Sequence, residues 1–123
     1  MTLALVVLGG AVGAPLRYLT DLFVQARHDS VFPWGTFVVN VVGSLLLGAL
    51  AAGSAEAGLP DWVLTLAGTG FCGALTTFST WSFETIRLIE DGAWVEALAN
   101  VTLSLVAGLG AVVAGWAAVQ ALW

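Results

Sequence analysis

Apolar residues along this chain neither alternate nor keep to one helical stripe; they fill four long blocks separated by short polar or turn-forming stretches. A helix that is hydrophobic all round needs an apolar environment on every side, and about 20 such residues cross a hydrocarbon core of about 30 Å. The blocks predict spans at about 3–24, 34–52, 62–89 and 94–122, so residues 1–123 read as a single four-helix transmembrane domain, an all-α membrane protein with tight connections. The first connection holds the most polar stretch, Gln25-Ala26-Arg27-His28-Asp29-Ser30, followed by Phe32-Pro33-Trp34-Gly35-Thr36. Proline suits the start of a helix there, and tryptophan suits the membrane interface. Gly58-Leu59-Pro60-Asp61 forms the second connection and Arg87-Leu88-Ile89-Glu90-Asp91-Gly92 the third.

Inside the blocks the polar and small residues carry the detail. Span one contains Gly9-Gly10-Ala11-Val12-Gly13-Ala14 and then Pro15, which would weaken a soluble helix but lets membrane helices approach closely. Span two carries Asn40, Gly43, Ser44 and Gly48. Span three is the odd one: Gly68, Gly70 and Gly73 lead into Thr76, Thr77, Ser79 and Thr80 at midmembrane depth, which predicts a break near 73–77. Carbonyls freed by a break find no water in hydrocarbon and persist only when buried in protein or turned toward an ion or cavity. Those from Gly73 to Thr76 are therefore candidate cation ligands. The competing reading makes the three glycines a close-packing face, with the hydroxyls bonding back to their own helix. Span four is polar only at Glu96, Asn100, Thr102, Ser104 and Gln120.

Composition narrows the function classes. The chain is 59% hydrophobic and 9% charged, against about a quarter charged in a soluble domain, and leaves no room for a soluble catalytic domain. Eight acids against three arginines, with no lysine, give a net charge of −5 and no basic footprint for nucleic acid. A lone Cys72 makes neither an intrachain disulfide nor a C-x-x-C site and reads as a small buried apolar residue. No basic stretch or cleavable small-residue site marks the first apolar run as a signal peptide, so it reads as a retained span. Arg27 and Arg87 fall on one face and no loop arginine on the other, a thin margin for orientation that suits insertion in both directions and antiparallel pairing. No hydrolase elbow, P-loop or paired intramembrane carboxylate is present, and the chain reads as a non-enzyme.

Each candidate residue carries a plainer alternative. Phe78 and Trp81, three apart, face nearly the same way on a helix; their ring edges can meet an anion, or the rings can simply pack. The amides of Asn40 and Asn100 can replace part of an anion's hydration, or bond between helices. Arg17 can draw anions into a vestibule or snorkel to headgroups. Glu84 and Arg87 suit an i,i+3 pair, and His28 reads as a solvated loop residue.

Gly9-Gly10-x-x-Gly13-Ala14-x-x-Arg17-Tyr18, Gly35-Thr36-x-x-Val39-Asn40-x-x-Gly43-Ser44 and Gly70-Phe71-Cys72-Gly73-x-x-Thr76-Thr77-Phe78-Ser79-Thr80 together resemble the Fluc (CrcB) fluoride channels, in motif order and spacing and across all four spans. The resemblance implies an antiparallel dual-topology homodimer in the cell (plasma or inner) membrane. It implies two fluoride pores between the two copies and a structural sodium ion at the dimer interface, held by the backbone carbonyls of Gly73 and Thr76. By the same carry-over the pore aromatics fall on Phe78 and Trp81, the pore asparagine on Asn40, the vestibule arginine on Arg17, and the polar track on Thr80 and Ser104. Asn100 stands where tyrosine is frequent, and Glu84 matches the glutamate after the phenylalanine motif. Two departures stand out: Trp81 replaces a second phenylalanine, and Ala74-Leu75 replaces a glycine-phenylalanine pair. Indole is wider and adds an N–H donor, so fluoride would meet either a ring edge or that N–H.

The expected function is passive, fluoride-selective export that protects the cell from fluoride. Fluoride is small and strongly hydrated, so a pore must offer several weak donors and still release the ion. A rival, the small four-span proton-coupled multidrug exporter, needs a carboxylate deep in span one, where the first acid is Asp21 near the end. A non-transporting assembly subunit would use the polar and aromatic residues of span three only to pack helices.

Overall fold

The computed structural model describes residues 2–27, 32–76 and 78–122, except the side chains of Phe78 and Ser79. Among these residues the chain is all-helical, and four helices are long and apolar enough to cross a membrane: Thr2–Arg27, Trp34–Glu56, Asp61–Glu90 and Trp94–Leu122. The first, second and fourth are the single helices α1 (Thr2–Arg27), α2 (Trp34–Glu56) and α6 (Trp94–Leu122). The third is assembled from α3 (Asp61–Val63), a π-helical segment (Leu64–Cys72), α4 (Gly73–Leu75) and α5 (Phe78–Glu90).

Two ends differ from the sequence reading. Gln25, Ala26 and Arg27, read as loop, are the last residues of α1, where the Arg27 guanidinium sits 4.3 Å from the Phe23 ring centroid one turn back. A cation on an aromatic face and at a helix C-terminus favours that extra turn. Helix α2 likewise runs on to Glu56, whose Oε1 accepts a hydrogen bond from Gln120 Nε2 at 2.9 Å near the end of α6. Pro15 lies within α1 without ending it. His28 and Trp123 lie outside the described residues.

Small residues set which helices meet. Helix α2 packs most extensively on α6, and α1 on the π segment. A Cβ at Gly48 would collide with the Val112 carbonyl of α6 and one at Gly115 with the Leu45 carbonyl of α2, so this pair is in backbone contact. Without a hydrophobic drive between helices in lipid, such close approach is the main source of association. On the other side, a Cβ at Gly70 of the π segment would lie 2.9 Å from the Val6 carbonyl oxygen of α1.

The third connection closes as a Schellman turn: the Ala93 N–H donates to the Leu88 carbonyl at 2.8 Å, the Gly92 N–H to that of Ile89 at 3.0 Å, and Gly92 adopts φ 78°. Gly92→Ala is expected to lower stability by about 1 kcal/mol, the cost of a Cβ in the left-handed region, read as a shift of the thermal unfolding curve in detergent.

Candidate functional site

The centre of the third span is where backbone and side-chain chemistry meet. At its glycine-rich middle the ladder lengthens to i→i−5: the Gly73 N–H points to the Gly68 and Gly70 carbonyls. Helix α4 then ends at Leu75, and Thr76 is extended with φ −80° and ψ 158°. The Thr76 N–H and its hydroxyl both donate to the Cys72 carbonyl at 2.9 Å, satisfying one of the last carbonyls of the turn. A helix terminus leaves its last four carbonyls without helical partners.

A cavity of about 540 Å³ opens against this segment. Asn40 of α2, Gly73 and Thr76, Trp81 of α5 and Ser104 of α6 all line it. Five of the residues singled out in the sequence, from four separate elements, thus face one volume. Ser44 and Thr69 add hydroxyls that sequence reasoning did not single out as candidates.

Behind the cavity wall a polar network joins α5 to α6. Asn100 is fully buried at 0% exposure; its Nδ2 donates to Thr85 Oγ1 at 2.8 Å, and its Oδ1 accepts from the Ser104 hydroxyl at 3.4 Å. The Thr85 hydroxyl donates in turn to the Trp81 carbonyl at 2.8 Å, and the Trp81 indole N–H donates to the Asn100 carbonyl at 3.4 Å. The indole N–H, expected as a donor to fluoride, is engaged with the backbone of α6. Asn100 makes an interhelical bond through its amide.

A second, smaller cavity of about 100 Å³ lies toward the α1–α2 connection, lined by Arg17, Tyr18, Asp21, Thr36, Val39 and Thr80. Beside it the Thr36 hydroxyl donates to Glu84 Oε1. Glu84 is thereby bound to α2 across 48 positions of sequence, and no Glu84–Arg87 ion pair forms among the described residues. The side chain of Phe78 lies outside the described residues.

A profile of the family described as "CrcB-like protein, Camphor Resistance (CrcB)" matches residues 4–116, all but the ends of this four-helix arrangement. The chain belongs to the CrcB family. It is 57% identical over 129 residues to "Fluoride-specific ion channel FluC 1" of Frankia casuarinae, covering 100% of this chain and 99% of that one. It is 58% identical over 124 residues to the protein of the same name in Streptomyces avermitilis, covering 100% and 99%. With "Fluoride-specific ion channel FluC 2" of Mycobacterium tuberculosis it shares 50% over 110 residues, 89% of this chain and 84% of the relative. This CrcB-family chain is a multi-pass membrane protein.

Three residues of this CrcB chain's polar interior escaped the sequence reading. Thr36 gains its role only through Glu84, and Thr85 only through Asn100, partners distant in sequence. For Asp21 the signal in the sequence is its spacing of four from Arg17, which puts both on one helix face.

Proposed function

We propose that this chain is a fluoride-selective channel that lets fluoride leave the cell passively and so protects it from fluoride toxicity. The observation that carries the reading is the 540 Å³ cavity, in which Asn40, Thr76, Trp81 and Ser104 converge in a chain closely similar to proteins named fluoride-specific ion channels. The amide of Asn40 and the hydroxyl of Thr80 return part of fluoride's hydration, joined by the Ser104 hydroxyl when it turns from Asn100 Oδ1 to the ion, and the ring edges of Phe78 and Trp81 add weak positive charge. None carries a fixed charge that would trap the ion, so binding stays loose enough for release. Arg17 gathers anions at the mouth, and Glu84, tied to Thr36, stands beside the path. A negative-inside potential drives fluoride outward, at about 2.3 kcal/mol per charge per 100 mV. No bond is made or broken, and the chain is not an enzyme.

The channel works as an antiparallel dual-topology homodimer. The large cavity needs a further wall, and the outward faces of α1 and α6 are apolar, with only 11% of each span's most apolar stretch buried within one chain. A second copy fits that surface, lipid covers the remainder, and the thin margin of two loop arginines, Arg27 and Arg87, against none lets both orientations insert. The third span acts as a broken helix whose freed carbonyls at Gly73 and Thr76 hold a structural sodium ion between the copies. The donor type suits such an ion: Gly73 and Thr76 line the cavity, a carbonyl oxygen is a hard ligand, and at Gly73 a Cβ would meet nothing closer than the Gly68 carbonyl oxygen at 4.0 Å. Two carbonyls per chain become four across a twofold axis. Bound there, sodium would supply a fixed positive charge that joins the two subunits.

The test is fluoride release from liposomes containing the purified protein, followed with a fluoride electrode and compared with chloride. Rapid fluoride release with chloride at the protein-free rate is the expected result. Chloride flux equal to fluoride, or no flux from a folded dimer, overturns the reading and favours the assembly role.

A further inference from the structure

Arg17 and Asp21 stand one turn apart on α1 and line the 100 Å³ cavity together with Thr36 and Thr80. Asp21 is seated directly over α2: a Cβ at Gly35 would fall 2.9 Å from both its Cα and its Cγ, and nearer still to Oδ1. Only glycine at 35 leaves the carboxylate room. The next residue, Thr36, donates to Glu84, so carboxylates from α1 and α5 converge on this corner, and Arg17 is the one cation lining the cavity among the described residues. Arg17 Nε and Asp21 Oδ1 are both buried, and neither has a hydrogen-bond partner among the described residues. The two charges thus share a pocket without being locked to each other. Both remain available to whatever passes.

We propose that Asp21 tunes how readily anions pass from Arg17 toward Thr80, its carboxylate offsetting the attraction of the guanidinium. The proposal rests on the channel reading of Arg17 and Thr80. An anion moving between those two residues shares this small volume with the carboxylate, where walls of low dielectric strengthen unit charges and focus their field. Arg17 alone would concentrate fluoride and hold it. With Asp21 four residues on, the attraction of the guanidinium is offset: fluoride enters the mouth less readily when it is scarce, and a bound ion leaves the mouth more easily.

Asp21→Asn tests this, with Asp21→Ser as a smaller second variant should the amide fail to fold, each taken as the purified dimer in liposomes. At an ionic strength of about 10 mM, set with potassium gluconate, charges act over about 30 Å; at 1 M they act over about 3 Å. The neutral variant is expected to release fluoride about threefold to tenfold faster than wild type at low fluoride and low ionic strength, in the range of electrostatic focusing. Half-saturation should move to lower fluoride, and the gain should shrink in high salt. Asp91→Asn, which removes an exposed acid from the third connection, controls for general surface charge. An unchanged rate, a gain indifferent to salt, an equal gain in Asp91→Asn, or loss of release from a folded Asp21 variant each overturns the proposal while leaving the channel intact. A wild-type protein that releases no fluoride overturns the channel reading itself, and this role with it.

Discussion

Asn40→Asp is expected to cut fluoride release at neutral pH by about 100-fold or more while leaving the dimer folded. Asparagine and aspartate have nearly the same shape, so the packing of α2 around Gly43 and Ser44 is kept and the change is one of charge and donor count. The amide brings two N–H donors to the cavity; the carboxylate brings none and repels an anion. Two unit charges 4 Å apart interact by about 4 kcal/mol at an effective dielectric of about 20, equivalent to roughly a thousandfold in occupancy. Water and local rearrangement reduce that figure, which leaves a hundredfold as the smaller expectation. The measurement is the electrode trace from liposomes of equal protein content, with size-exclusion profiles to establish that wild type and variant are equally assembled. Wild-type release from the variant would remove Asn40, and with it the large cavity, from the fluoride path.

The spans were legible because hydrocarbon thickness imposes a length that any sequence crossing it must meet. Trp34 and Trp94, at the starts of α2 and α6, follow from the same constraint. The end of α1 was not, since the pairing of Phe23 with Arg27 acts against the polarity of Gln25-Ala26-Arg27, which on its own reads as loop. Nor could the π segment be foreseen. Its glycines permit several helical periods, and the proximity of Gly9 and Gly13 in α1, distant in sequence, accompanies the one adopted.

The site was legible as residue types and not as pairings. A polar residue at membrane depth is costly, so Asn40 and Asn100 announced themselves, and the family resemblance added Thr80 and Ser104. What each does depends on neighbours that only the packed helices bring near: Asn100 meets Thr85 fifteen positions away, and Glu84 meets Thr36 forty-eight away. Trp81 shows the same limit. Its extra N–H was visible in the sequence as a donor for fluoride beside the ring edge, and the carbonyl it reaches belongs to α6. In this chain tryptophan and asparagine occupy two positions that the family resemblance associates with phenylalanine and tyrosine, and the structure joins them by a hydrogen bond between helices.

That junction is the basis of the second large effect. Asn100→Ala is expected to lower stability by about 2–3 kcal/mol, combining a lost buried hydrogen bond with unfilled volume between α5 and α6. The side chain is at 0% exposure, so neither lipid nor bulk water reaches the space it leaves. Thr85 keeps its own bond to the Trp81 carbonyl but loses the amide it accepts from, and the Ser104 hydroxyl loses its acceptor and is freed to turn elsewhere. Thermal unfolding in detergent reads the loss. A cycle with Thr85→Val identifies its source, because residues in one hydrogen-bonded network couple where independent sites add. The double variant should therefore be less destabilised than the sum of the two single changes, by about 0.5 kcal/mol or more. Strict additivity would mean that the Asn100–Thr85 bond contributes nothing in the folded membrane protein, and that the polar network between α5 and α6 does not act as a unit.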